Sequence, residues 1–153
     1  MTDHKREIEE VLYTYAERVD AGDFAGVGEL FRHGCILPGP NAAREHAIEG
    51  SDAVRSLFEN ATIRYEDGTP LTQHVTTNVI VEIDPAAENA TARSRFTVYQ
   101  AMPGLPLQAI ACGRYRDTFR RIEGKWWFDT RTMSIDLVGD MSRHLRDGFR
   151  PDR

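Results

Sequence analysis

The first apolar positions of the chain, Ile8, Val11, Leu12, Tyr15 and Val19, recur at intervals of three and four, which predicts an amphipathic helix from Arg6 until Gly22 breaks it. Asp23 can cap a second helix in which Phe24, Val27, Leu30 and Phe31 line up again and which closes near His33-Gly34, so the two form a helical hairpin. Cys35-Ile36-Leu37 reads as a short strand cut off by Pro38-Gly39-Pro40, and residues 41–50 read as an irregular surface loop. Ser51 then caps a third helix that buries Val54, Leu57 and Phe58.

After the turn at Asp67-Gly68-Thr69-Pro70 the period changes from helical to alternating. Residues 72–83 and 89–102 are rich in Val, Ile and Thr and are stopped by Asp84-Pro85 and Pro103-Gly104-Leu105-Pro106. Two further strands, 107–122 and 125–136, are joined across Glu123-Gly124 as a hairpin, and Gly139 to Leu145 is a last helical turn or an arm. Helices first and a long meander afterwards predict one α+β domain over 1–153, with a curved, mostly antiparallel sheet wrapped around the N-terminal helices.

Composition narrows the partners more than the fold. A chain of 153 residues is long enough to hide roughly 70% of its unfolded surface without a staple. A net charge of -5 gives no reason to approach phosphate backbones, so nucleic acid is not an expected partner. No apolar run approaches membrane-spanning length and helix-forming sequence starts at once, which reads as a cytoplasmic protein. The five histidines are scattered, Cys35 and Cys112 lack metal spacing and read as free buried thiols, and no dinucleotide-binding glycine pattern is present; neither a metal nor a cofactor is expected.

Three groups of residues carry a resemblance. Tyr15-Ala16-x-x-Val19-Asp20-x-Gly22-Asp23 with Leu30-Phe31, then Thr72-Gln73-His74 with Asn78, then Gly113-Arg114-Tyr115-x-Asp117-x-Phe119 with Gly124-x-Trp126, together resemble the SnoaL-like branch of the nuclear transport factor 2-like superfamily. The resemblance implies a cone with an internal pocket, a small apolar ligand and a homodimer or homotrimer. Around the site the chain is similar to scytalone dehydratase, bile-acid 7α-dehydratase and hexachlorocyclohexane dehydrochlorinase, lyases with an Asp-His dyad. By that likeness Asp20 and His74 are the dyad, Tyr15 matches the catalytic tyrosine of the bile-acid enzyme, and Tyr99 falls near a second pocket histidine of scytalone dehydratase. Val19, Gly113 and Tyr115 depart from scytalone dehydratase, and the Asp-Arg-Asp set of limonene epoxide hydrolase has no counterpart.

The chemistry of these residue types agrees with that assignment. A histidine titrates near neutrality and works as a base when a carboxylate fixes one tautomer, and a phenol in a dry site can donate to a departing or enolising oxygen. Asp20 falls about 100° from the apolar stripe of its helix, at the edge of any cavity that the stripe faces. Simple alternation places His74 with Thr76 and Asn78, opposite Val75, Val79 and Val81, so the pocket reading needs that polar face to line the cavity. Arg131 alternates with Trp127, Asp129, Met133 and Ile135, which suggests a buried ion pair with Asp117 or Asp129, or a clamp on substrate oxygen. Trp127, Met133 and Phe96 are expected in the pocket wall, with Asn78 and Tyr99 as further substrate contacts. Two functions follow: a cofactor-independent lyase or isomerase acting on a small cyclic molecule, or a non-catalytic binding module similar to the small subunit of ring-hydroxylating dioxygenases.

Overall fold

The computed structural model describes residues 2–151. Helix α1 spans His4–Asp20, with Asp3 accepting from the Arg6 backbone N–H at 3.2 Å as its cap. It ends in a reverse turn in which the Asp23 N–H reaches the Arg18 carbonyl and the Gly22 N–H the Val19 carbonyl. Gly22 has φ +70 there and lies against the Gly68 carbonyl, so a side chain would be both strained and in collision. Helix α2, Phe24–Leu30, is capped by Asp23 through the Gly26 N–H at 2.9 Å, and α3 covers Gly50–Ala61. The cap of α3 is Glu49 rather than Ser51, and it makes no side-chain bond.

Six strands follow the chain as β1 (Cys35–Leu37), β2 (Ile48–Glu49), β3 (Thr72–Ile83), β4 (Asn89–Met102), β5 (Leu105–Ile122) and β6 (Lys125–Val138). They form an open mixed sheet ordered β2-β1-β6-β5-β4-β3, antiparallel throughout except where β1 runs parallel to β6. The segment expected as an irregular loop thus contributes an edge strand and a short 3-10 turn, Arg44–His46. The α+β architecture, with its sheet curved around the N-terminal helices, is the one that the sequence pattern predicts.

Of the sheet's register shifts, two one-residue irregularities decide which way the candidate site residues on β3 and β6 face. In β3, Thr77 pairs with Arg95 but Ile80 with Arg93, so one residue is extra, and Asn78 takes φ 54 to accommodate it. Before the bulge His74 and Thr76 lie opposite Val98 and Phe96 on the concave face; after it Val81 and Ile83 lie opposite Ala92 and Ala90 on the same face. The alternation that set His74 against the valines therefore holds on each side of Asn78 but not across it. In β6, Phe128 pairs with Phe119 and Thr130 with Thr118, leaving Asp129 extra. Trp126 and Phe128 face inward before that point, and Arg131 after it.

The core lies between the concave face and the helices. Ile8, Leu12, Tyr15 and Val19 of α1 meet Phe31, Phe96, Tyr115, Phe119 and Phe128. Phe31 stacks on Phe128 at 4.7 Å between centroids, and Phe96 on Tyr115 at 4.5 Å. Gly113 makes the second stack possible, since a Cβ there would come within 2.6 Å of the Phe96 ring. After β6 the chain returns as an arm across the helical end: Thr62 and Leu145 form an isolated bridge, and the Arg146 N–H donates to the Ala61 carbonyl. Among the described residues no helix is long and apolar enough to cross a membrane.

Candidate active site

Asp20 is the last residue of α1, where the helix dipole disfavours a carboxylate by a few tenths of a kcal/mol. Three donors from the first residues of β3 offset that cost. Thr72 Oγ1 donates to Oδ1 at 2.9 Å, the His74 backbone N–H donates to Oδ2 at 2.7 Å, and His74 Nδ1 lies 2.5 Å from Oδ1. An ionised carboxylate only accepts, so Nδ1 carries the proton and Nε2 is left with the lone pair. The His74 side chain is 9% exposed, and its ring borders the interior cavity.

That cavity has a volume of about 350 Å³, is mostly apolar, and lies between α1, α3, the concave sheet and the C-terminal arm. Its walls include Val19, Phe58, Phe96, Val98, Met133 and Ile135. Among the described residues, five that line it have polar side chains: Tyr15, Thr62, His74, Tyr115 and His144. The size suits a ligand of two or three fused rings or less.

Tyr15 is 2% exposed, and its ring makes edge contacts with Phe31, Phe58, Tyr115 and Phe128. Burial raises the pKa of its phenol, while the nearby Arg131 cation pulls it back. Tyr115 is raised further, by burial first and then by Tyr15. Both phenols therefore stay protonated and can donate to an oxygen inside the cavity.

Arg131 is fully buried, donating through Nε and Nη2 to the two oxygens of Asp117 at 2.8 and 2.9 Å. Its guanidinium lies 3.6 Å from the Tyr115 ring centre and 4.2 Å from that of Tyr15, a cation held between two aromatic faces. Burial alone would lower its pKa, but Asp117 raises it above the ordinary arginine value. Burial likewise pushes the Asp117 carboxyl up, opposed by the guanidinium. The ion pair, rather than a clamp on ligand, is thus the arrangement Arg131 adopts, with Asp117 as its partner. Asp129, the other expected partner, faces Arg120 and Arg44 at 3.2 and 3.4 Å.

Three expected contacts fall elsewhere. Tyr99 is 38% exposed and pairs with Gln73 on the convex face, because it sits between the inward-facing, buried Val98 and Gln100. Asn78 occupies the bulge, outside the cavity wall. Trp127 lies before the Asp129 irregularity and so faces away from Arg131; it packs edge-on against His33 at 5.0 Å with Lys125 Nζ 4.3 Å above its ring. Met133 and Phe96 do line the cavity. Cys112, expected in the core, is only partly buried; Cys35 is buried, and both are free thiols.

The residue that sequence reasoning passed over is His144. It is 6% exposed on the arm, 6.1 Å from the His74 ring centre, and its Nδ1 is buried without a hydrogen-bond partner in the protein. Burial first, with help from the His74 charge and against Asp20, pushes its pKa down to about 4, so the ring is neutral at neutral pH. Nothing in the local pattern of Met141-Ser142-Arg143-His144 signals this, because the arm has no periodic face.

A SnoaL-like domain model matches residues 1–132. The chain belongs to the SnoaL-like family. No curated protein matches this SnoaL-like chain significantly. Solved structures show the fold. A nuclear transport factor 2-like protein with a cystatin-like fold from Novosphingobium aromaticivorans is 22% identical, covering 91% of this chain and 86% of its own, with a TM-score of 0.68. A provisionally assigned scytalone dehydratase from the same organism is 22% identical over 99% of this chain and 100% of its own, with a TM-score of 0.69. A provisionally assigned aromatic ring hydroxylase, also from that organism, is 20% identical over 94% and 99% of the two chains, with a TM-score of 0.67.

Proposed function

We propose that this SnoaL-like protein is a cofactor-independent lyase or isomerase that removes a carbon-bound proton from a small, neutral cyclic molecule. The observation that carries the reading is the Asp20-His74 contact at the edge of a mostly apolar cavity. Asp20 holds the proton on Nδ1, so Nε2 accepts the substrate proton and the resulting imidazolium is stabilised by the carboxylate beside it. The electron pair released from the C–H bond forms either a C=C bond, with an adjacent hydroxyl leaving, or an enolate. Tyr15 and Tyr115 donate hydrogen bonds to that oxygen, and in the dehydration the leaving hydroxide takes a proton from the imidazolium and departs as water. Fold similarity to a provisional scytalone dehydratase is compatible with this chemistry and does not by itself assign it.

The second reading, a binding or assembly module without chemistry, has its support in the neighbour described as an aromatic ring hydroxylase and in the exposed apolar side chains Leu107 and Leu137. A homodimer or homotrimer that covers Leu107 and Leu137 fits either reading. Deuterium exchange separates the two readings. In D2O with 2-tetralone, a neutral bicyclic ketone with acidic α-protons, the wild type should exchange those protons about 10²- to 10⁴-fold faster than His74→Gln. Equal exchange in both proteins, followed by NMR, would sink the catalytic reading and leave the binding module.

A further inference from the structure

His144 reaches the cavity from a segment unconnected with the dyad, and its backbone is held firmly. The Ile63 N–H donates to its carbonyl at 2.9 Å, and its own N–H donates to the Met141 carbonyl at 3.1 Å. The preceding carbonyl, of Arg143, accepts from Tyr65 Oη at 2.5 Å and from Gln100 Nε2 at 3.0 Å. Those contacts deliver the ring to a wall that includes Met141, Leu145, Ala61 and Thr62, yet leave Nδ1 buried and unpartnered. Orphaning a buried polar atom costs about 1–3 kcal/mol, and because Nδ1 as placed is out of reach of the cavity, a ligand oxygen recovers that cost once the ring has turned. A half-turn of the flat ring about Cβ–Cγ exchanges Nδ1 with Cδ2 without changing its footprint, so a ligand can be met by either edge.

We propose that His144 is a ligand-binding residue that holds an oxygen substituent of a neutral cyclic substrate, a second anchor beside the position served by His74. The two ring centres are 6.1 Å apart, a separation that two oxygen functions on one ring, or on two fused rings, can serve together. An uncharged ligand suits the cavity because, among the described residues, none that lines it is an Asp, Glu, Lys or Arg: Asp20 lies behind His74, and Arg131 pairs with Asp117 behind the Tyr15 and Tyr115 rings. The assignment rests on the cavity being the substrate site, and extends it to a substrate class, cyclic compounds with at least two oxygen substituents.

Titration calorimetry on the full chain tests it with naphthalene-1,3-diol, 2-naphthol and 2-naphthoate as probes. The diol should bind about tenfold more tightly than 2-naphthol, as one added hydrogen bond of about 1–1.5 kcal/mol allows, and 2-naphthoate should bind most weakly. His144→Leu should abolish the advantage of the diol while leaving 2-naphthol within about threefold, and His144→Gln, which keeps a donor and an acceptor, should retain it. Equal affinity of diol and 2-naphthol in the wild type, equal weakening of both by His144→Leu, or no binding of any probe overturns the assignment. The measurement needs no turnover, so a preference for the diol together with a failed exchange experiment would sink the catalytic reading alone. Exchange without that preference would sink only the role of His144.

Discussion

Two acid-base pairs, Asp20-His74 and Asp117-Arg131, face the same aromatic interior and differ in the one property that matters for chemistry. Asp117-Arg131 has no exposure, doubles its contact through two hydrogen bonds, and is enclosed by Tyr15, Tyr115 and Phe128. Arginine does not give up its proton in a protein, so this pair can only hold position. Asp20-His74 sits at a helix end with 21% of the carboxylate side chain exposed, and its cation exists only after the ring has taken a second proton. A charge that is permanent organises the cone, whereas one that comes and goes can do work at its edge.

Breaking the buried pair should have the largest effect. Asp117→Ala leaves a guanidinium buried without its partner and should cost about 3–5 kcal/mol in chemical denaturation. A loss below 1 kcal/mol would mean that the ring faces around Arg131 suffice to hold it. Next in size is the acid sensitivity of the cavity. His144 is held at about 4, below the ordinary histidine value of about 6.5, so the unfolded chain protonates first. Its contribution is complete above about pH 6.5 and is lost as the pH falls towards 4, up to about 3 kcal/mol in all. His144→Leu should flatten the denaturation midpoint across that window, and an unchanged slope would count against a neutral buried ring.

Asn78→Val tests how His74 comes to face inward. A β-branched residue at φ 54 is strained by about 1–2 kcal/mol, and the His74 resonances should broaden or shift as the bulge gives way. The smallest effect on stability belongs to Asp20→Asn, about 1 kcal/mol, because weaker hydrogen bonds are partly offset by relief of the helix dipole. That contrast with Asp117 is the expectation: little change in folding, and a large fall in proton abstraction.

Much of this was legible before any coordinates. The helical stripes, the strand runs and the Asp20-x-Gly22-Asp23 helix ending follow from local pattern, since a Schellman turn and an N-cap are short-range devices. What alternation could not convey was parity across a bulge. His74 looked outward and Trp127 looked inward for the same reason, a single extra residue at Asn78 and at Asp129 that moves every side chain beyond it to the other face. Asparagine is tolerant of left-handed backbone, so Asn78 carried a faint signal; Asp129 carried none. Tyr99 is the opposite case. Plain alternation with Phe96 and Val98 already set it outside, and the family likeness had drawn it in. His144 depends on an arm whose place is fixed by Tyr65, Gln100 and Ile63, contacts too distant in sequence to read from pattern.

The central claim is that Asp20 fixes the tautomer of His74, and long-range 1H–15N NMR of the imidazole reads it directly. In the wild type at neutral pH the ring should be the Nδ1–H form, with Nε2 showing the shift of an unprotonated nitrogen. In Asp20→Asn, whose amide can donate to Nδ1, the Nε2–H form should become dominant. The same tautomer mixture in both proteins would contradict the dyad and with it the proposed chemistry.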